Sequence, residues 1–192
     1  MRLVMLAMCL VGAMLAQTLR AETVMSEVTG NWAGADGGGF YFRAVLSQVE
    51  DRARLQIWNG LDAVPDRSDA PAFDNDQIAL AAFATAQRLE VIQTDTGSML
   101  GLTIAFADET AEGQEALMIS YVDNQFTLMG FGHESTVEGA DKAYTCALDL
   151  WNGTAVVNGV AGALPPMDFE AKNALTWTFG AAFAREYCPA LE

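Results

Sequence analysis

The stretch Arg52-Ala53-Arg54-Leu55-Gln56-Ile57-Trp58 alternates polar and apolar side chains. Successive side chains of a β-strand point to opposite faces, so the Ala, Leu and Ile of this stretch would share one face of a sheet. The same alternation recurs in residues 100–106, 117–121 and 144–150, where β-branched and aromatic side chains are frequent. Alternation that is repeated in this way predicts a mainly β chain.

Short turn sequences separate these runs. Asn152-Gly153 lies between two apolar runs, which is the strongest short-range signal for a β-hairpin. Asp123-Asn124 and Thr96-Gly97-Ser98 separate further runs, and residues 108–114 are typical of a longer acidic loop. About ten candidate strands at this spacing predict an all-β fold, either a single antiparallel β-barrel or a β-sandwich of about 8–10 strands.

Other segments have less regular patterns. Residues 78–86 are rich in alanine and fit either a helix or a buried strand, and residues 169–175 fit either a helix or a loop. Residues 180–187 predict a short C-terminal helix. Residues 34–39 are rich in glycine and are expected to form a loop ahead of the first strand. Residues 62–76 contain two prolines and five aspartates, and they predict a long surface loop.

Residues 1–21 have the order of a secretory signal peptide, with a basic start, an unbroken apolar run and a small residue at the end. The apolar run is shorter than the ~20 residues that a membrane-spanning helix needs. We expect cleavage after Ala16 or Ala21, with Ala21 favoured, and a single β-rich domain over residues 22–192. The mature protein is then periplasmic or secreted and has no transmembrane segment.

The charge balance is strongly acidic. The chain has 25 acidic and 10 basic residues and a formal net charge of −15. Two basic residues, Arg2 and Arg20, lie in the leader, so the mature chain keeps eight and its net charge is −17. Such a surface would repel nucleic acid and anionic lipid. It permits a cationic protein partner, although a charged surface that keeps the protein in solution is the simpler interpretation.

Two of the three cysteines, Cys146 and Cys188, would remain after export. An oxidising compartment favours a disulfide between them. The alternative, a pair of reactive or metal-binding thiols, lacks a CxxC spacing and a nearby second ligand.

No motif for catalysis, a metal ion or a cofactor is present. His133 is the only histidine, which excludes a site built from several histidines. Ser135 lies two residues away, but no Gly-x-Ser-x-Gly motif accompanies it. The aspartates of residues 62–76 lack the spacing of an EF-hand. The sequence therefore favours a protein that is not an enzyme, with no catalytic residue, metal or cofactor assigned.

Two sets of residues are candidates for binding. Tryptophans are usually part of the core, but inward-facing aromatics can also line the cavity of a barrel and bind an apolar ligand. The aspartates of residues 62–76 are the candidates for contact with a cationic partner. The first set is Trp32, Trp58, Trp151 and Trp177, and the second set is Asp66, Asp69, Asp74 and Asp76.

Gly30-Asn31-Trp32 resembles the Gly-x-Trp near the first strand of lipocalin-type barrels, but it covers three residues only, and the later lipocalin motifs are not evident. The sequence as a whole predicts an exported, non-enzymatic β-domain that binds a small apolar ligand or a protein partner. One alternative is an acidic inhibitor or scavenger of a cationic protein, similar to periplasmic lysozyme inhibitors in class only. Another alternative is an exported hydrolase that uses His133.

Overall fold

The computed structural model describes residues 22–35, 37–50, 52–80, 83–139 and 142–189. The predicted leader and both expected cleavage positions lie outside this part of the chain.

Eleven strands and three short helical segments make up the described chain. The strands are β1 (Thr23–Asn31), β2 (Tyr41–Val49), β3 (Arg52–Gly60), β4 (Phe73–Leu80), β5 (Ala84–Thr94), β6 (Gly97–Ala107), β7 (Ala111–Val122), β8 (Gln125–Val137), β9 (Tyr144–Asp149), β10 (Thr154–Val157) and β11 (Val160–Ala163). The helical segments are α1 (Phe169–Lys172), a 3-10 helix (Ala174–Thr176) and α2 (Ala181–Ala184).

The strands form two antiparallel sheets in a sandwich-like arrangement. One sheet has the order β1-β2-β3-β4 and the other the order β11-β10-β9-β8-β7-β6-β5, so strands that follow each other in sequence pair within each sheet. The all-β prediction and the short C-terminal helix are confirmed. Between the two forms that the sequence allowed, the described strands fit the sandwich, because their pairings do not close into one barrel. Eleven strands replace the expected 8–10, since β10 and β11 form an additional short hairpin.

Alternation places one apolar face of each sheet against the other. In β3, the side chains of Ala53, Leu55 and Ile57 are fully buried in the core, as the pattern predicts. The inward side chains of β6 to β8 pair across the second sheet, where Leu102 lies opposite Leu117 and Leu117 lies opposite Phe131. A single core cluster spans both sheets.

Two predicted turns, Asp123-Asn124 and Asn152-Gly153, are present, whereas Thr96-Gly97-Ser98 is only partly a turn, because β6 begins at Gly97. Asp123 and Asn124 join β7 to β8 with φ angles of 50° and 62°, which suits the two-residue turn that matches the twist of the strands. Asn152-Gly153 lies in the turn between β9 and β10. Asn158-Gly159 forms a second two-residue turn, between β10 and β11.

Three boundaries differ from the sequence expectations. The glycine-rich residues 34–39 follow β1 rather than precede the first strand, because β1 mixes polar and apolar residues on both faces and gives a weak pattern. Of the two forms open for residues 78–86, the strand is present at residues 78–80 of β4 and 84–86 of β5. The loop predicted over residues 62–76 ends before Phe73, where β4 begins, so Asp74 and Asp76 lie on this strand. The acidic loop predicted over residues 108–114 is only three residues long, because β7 begins at Ala111.

Backbone and side-chain hydrogen bonds join the two sheets at one side. Ser26 Oγ on β1 accepts a hydrogen bond from the Leu89 amide of β5, at 2.9 Å. The carbonyl oxygen of Trp32 accepts from the Ser98 amide at the start of β6, at 3.1 Å. These contacts hold β1 beside the β5–β6 hairpin.

The C-terminal segment covers the other side. Asn75 Nδ2 on β4 donates to the carbonyl oxygens of Ala174 and Trp177, at 3.0 and 2.9 Å. The predicted disulfide between Cys146 and Cys188 is present, with 5.9 Å between the Cα atoms, and it ties the segment to β9.

Candidate functional site

Two of the four candidate tryptophans belong to the core. Trp32 is 6% exposed and stacks on Phe42 with 4.0 Å between the ring centroids, and its Nε1 donates to Asn59 Oδ1 at 3.0 Å. Trp177 is fully buried, and its ring lies 4.9 Å from the Arg185 guanidinium. Large side chains therefore fill the space between the sheets at these positions.

The other two tryptophans lie elsewhere. Trp58 follows the inward-facing Ile57 and so points to the outer face of β3, where its Nε1 donates to the carbonyl oxygen of Asp69 at 2.8 Å. Trp151 is 54% exposed in the β9–β10 turn, with the Lys172 ammonium 5.7 Å from its ring. The structure thus does not bring the four rings together around one cavity.

The four candidate aspartates also have different environments. Asp74 accepts a hydrogen bond from Arg54 Nε at 2.7 Å, and Asp76 accepts one from Arg52 Nη1 at 3.1 Å. Asp66 accepts hydrogen bonds from the hydroxyl and from the backbone amide of Ser68, and these hydrogen bonds lower the pKa of its carboxyl group. Asp69 supports the loop through its backbone carbonyl.

The outer face of the four-stranded sheet carries paired charges. Arg43 forms an ion pair with Glu27, while Arg54 pairs with Asp74 and Arg52 with Asp76. The hydrogen bond to Asp74 raises the pKa of the Arg54 guanidinium. We call this surface the paired-charge face. Its charges largely satisfy one another, so two of the four candidate aspartates are already engaged within the protein.

The outer face of the seven-stranded sheet is different. Ala116 of β7 lies opposite Gly132 of β8, Gly132 opposite Ala147 of β9, and Ala147 opposite Val156 of β10. Small side chains in one row leave a depression in the sheet surface. We call this depression the outer groove, and its volume is about 400 Å³. Its floor is Gly101, Ala116, Gly132 and Ala147, and its walls include Met118 and Val156.

Glycine on β8 shapes the wall of the groove. A Cβ atom at Gly130 would lie 2.3 Å from the Met118 Cε, so the flexible Met118 side chain could keep its present position across the sheet only beside glycine and would shift beside a larger residue. Glu90 and Asp149 contribute carboxylates to the lining of the groove. Hydrogen bonds from the backbone and side chain of Asn152 lower the pKa of Asp149, which keeps that carboxylate ionised.

A buried polar cluster lies on the inner face of the same sheet. His133 Nδ1 is 3.3 Å from Glu115 Oε1, and His133 Nε2 is 3.0 Å from Ser135 Oγ. The Glu115 side chain is 2% exposed and its Oε2 has no hydrogen-bond partner. Phe183 of α2 packs edge-on against the His133 ring, with 4.8 Å between centroids. We call these three polar residues the Glu–His–Ser cluster.

Neither Glu115 nor the outer groove is among the sites predicted from the sequence, and the reasons differ. Glu115 alternates in phase with the inward-facing Leu117 and Ile119, so the sequence pattern could have predicted a charged residue on the inner face of the sheet. The floor of the groove consists of Gly and Ala at outward positions, which show no contrast in hydropathy with their surroundings.

Comparison with protein-family models, with curated proteins and with solved structures finds no match for this chain. Over the described ranges, no helix is long and apolar enough to cross a membrane. The same ranges hold no group of three or more His, Cys, Asp or Glu side chains that could bind a metal ion. The outer groove and the Glu–His–Ser cluster are therefore the two features from which a function can be inferred.

Proposed function

We propose that this protein is an exported, non-enzymatic binding domain, and that its outer groove holds a small apolar ligand or an apolar part of a protein partner. One observation carries the proposal. The groove is an open, mainly apolar depression of about 400 Å³ on the surface of a chain with 25 acidic residues. Binding sites for small molecules commonly have volumes of about 300–1,000 Å³ and apolar linings.

The packing between the sheets supports the choice of an external site. Large side chains such as Phe42, Phe131 and Trp177 occupy the core and are at most 2% exposed. A carrier that encloses its ligand needs an empty interior, whereas a filled interior directs binding to the surface. The outer groove provides apolar surface there without any change in the core.

The expected location is consistent with a disulfide. The bond between Cys146 and Cys188 suits an oxidising compartment such as the periplasm or the extracellular space. A secretory leader in residues 1–21 would deliver the chain there.

A neutral fluorescent probe, N-phenyl-1-naphthylamine, tests the proposal with the mature protein. A Cβ atom at Gly132 would lie 3.9 Å from the Ala116 Cβ, so Gly132→Leu should fit the fold and fill the groove from its floor. We expect this variant to bind the probe about tenfold more weakly, which corresponds to ~1.4 kcal/mol. Thr136→Leu, an exposed position on β8 outside the groove, is the matched control and should bind as the unchanged protein does. Equal binding by both variants would contradict the proposal.

The Glu–His–Ser cluster favours a hydrolase as the second candidate, because its contacts follow the order of a Ser-His-acid triad. Burial argues against this role, since Ser135 is 6% exposed and a substrate carbonyl must reach its Oγ. A fluorophosphonate reagent distinguishes the candidates. An adduct on Ser135 that is lost in His133→Ala would support a hydrolase, and an unmodified Ser135 would support a structural role for the cluster.

A further inference from the structure

The β10–β11 hairpin interrupts the acidic character of the chain. Residues 150–167 contain no Asp, Glu, Lys or Arg, although Asp149 precedes them and Asp168 follows them. Natural proteins often place charged residues on exposed sheet edges, because charge discourages pairing with other chains. An uncharged edge in so acidic a protein therefore requires an explanation.

β11 is the terminal strand of the seven-stranded sheet and, within the described chain, pairs with β10 alone. All four of its residues are exposed, and Val160 is 72% exposed. Its register with β10 is regular and lacks the bulge that protects many edge strands. The edge is thus apolar, regular and open.

The hairpin geometry shows which backbone groups face the open edge. Val157 and Val160 flank a two-residue turn, so they form a hydrogen-bonded pair, and hydrogen-bonded pairs alternate along antiparallel strands. The Leu164 amide donates to the Gly153 carbonyl at 2.8 Å, which follows the same alternation. The amides and carbonyls of Ala161 and Ala163 must then point away from β10, toward the free edge.

We propose that β11 accepts an extended segment of a partner protein as an eighth strand of this sheet. The segment would pair with the outward amides and carbonyls of Ala161 and Ala163, as peptides do when they extend an exposed sheet edge. Because Ala161 lies opposite Val156, a side chain paired with Ala161 would point toward the open end of the outer groove. The inference deepens the proposed binding function and rests on it.

Charge favours a neutral or basic segment over a second copy of this chain. The net charge of the chain is −15, so two copies would repel each other, whereas a basic segment would be attracted. The small side chains of Ala161 and Ala163 leave room for larger apolar side chains on the incoming strand. The expected partner segment therefore alternates apolar residues with neutral or basic ones.

Two synthetic peptides test the inference with the mature protein. One has the sequence Thr-Val-Lys-Val-Lys-Val-Thr, and the other replaces both lysines with glutamate. We expect the lysine peptide to slow hydrogen exchange at the amides of Ala161 and Ala163, and the glutamate peptide to bind about tenfold more weakly. Absence of protection at both amides would overturn the inference, as would protection in the free protein through a dimer.

A pair of variants separates the edge from the groove. Ala163→Pro removes an outward amide that β10 does not use, and it should abolish binding of the lysine peptide. Gly162→Ala is the control, because its amide points to β10 and a Cβ atom there has no neighbour within 4 Å. Both variants should bind N-phenyl-1-naphthylamine normally. Peptide binding that survives Ala163→Pro would contradict strand addition. The effect of Gly132→Leu on naphthylamine binding tests the proposed groove and does not depend on strand addition.

Discussion

The outer faces of the two sheets differ although both point away from the same core. The paired-charge face of the four-stranded sheet matches arginines with carboxylates across its strands, as in the pairs Arg43–Glu27 and Arg54–Asp74. The seven-stranded sheet instead presents Ala116, Gly132 and Ala147, and its outward side chains leave the outer groove open. Strand alternation determines which side chains point outward. Their size and charge determine whether they pair with one another or leave an open apolar surface.

This difference assigns different roles to the two faces. Exposed ion pairs contribute only ~0–1 kcal/mol each, so the paired-charge face mainly keeps its sheet hydrated and specifies pairing. Packing does not require glycine at the centre of this outward face, since a Cβ atom at Gly132 would have only the Ala116 Cβ within 4 Å, at 3.9 Å. The outer groove is therefore the better candidate for a surface kept for binding.

The largest expected effect compares the two faces of one strand in the seven-stranded sheet. Leu117 is 1% exposed on the inner face of β7, and Ala116 lies next to it on the outer face. Leu117→Ala should lower the free energy of unfolding by about 2–5 kcal/mol, because it removes buried methyl groups and leaves a cavity. Ala116→Ser should change it by less than about 0.5 kcal/mol. Denaturant unfolding measures both, and similar losses would mean that the outer face is part of a buried interface.

A carboxylate on each outer face gives the next largest effect. Ala116→Asp should weaken binding of N-phenyl-1-naphthylamine about tenfold, because a charge in the groove must be desolvated by the apolar probe. Thr29→Asp adds the same charge beside Arg43 on the paired-charge face and should leave probe binding unchanged. A fluorescence titration compares the two variants. Weaker binding in both would show that the probe responds to net charge rather than to the groove.

Removal of an ion pair should have a smaller effect. The side chains of Arg54 and Asp74 are 35% and 37% exposed, so Arg54→Ala should cost about 0–1 kcal/mol of stability. Added salt should reduce the difference from the unchanged protein, because it screens exposed charges. A loss above about 3 kcal/mol would instead indicate a buried charge.

The smallest expected effect is the contribution of Asp149, beside the outer groove, to the loss of stability at low pH. Hydrogen bonds from Asn152 lower the pKa of Asp149 in the folded protein, so its contribution to stability is present above the pKa of the unfolded state. That contribution is lost as the pH falls through the lowered pKa. Asp149→Asn should therefore show a shallower loss of stability below about pH 4 than the unchanged protein. Unfolding curves between pH 6 and pH 2 measure this, and an unchanged slope would rule out the contribution of Asp149.

The elements that sequence predicted best are those whose alternation is strong. β3 and the turn at Asp123-Asn124 follow directly from alternation and turn chemistry, and the disulfide follows from the two cysteines outside the predicted leader. β1 was not predicted, because its polar and apolar residues occupy both faces. The end of the loop predicted over residues 62–76 was wrong, because Asp74 and Asp76 are residue types common in loops but here pair with arginines on a neighbouring strand.

The candidate site was harder to predict than the fold. Binding was expected at tryptophans and aspartates, since large rings and charges are visible in a sequence. The outer groove exists because small residues are neighbours across strands, as Ala116, Gly132 and Ala147 are. That neighbourhood is a property of strand register, which alternation alone does not determine.

An NMR titration of the ¹⁵N-labelled mature protein with N-phenyl-1-naphthylamine tests the binding surface most directly. We expect the largest shifts at the amides of Ala116, Gly132 and Ala147, with little change on the paired-charge face. Shifts centred on Trp58 and Arg54, or on the core residues around Trp177, would contradict this expectation.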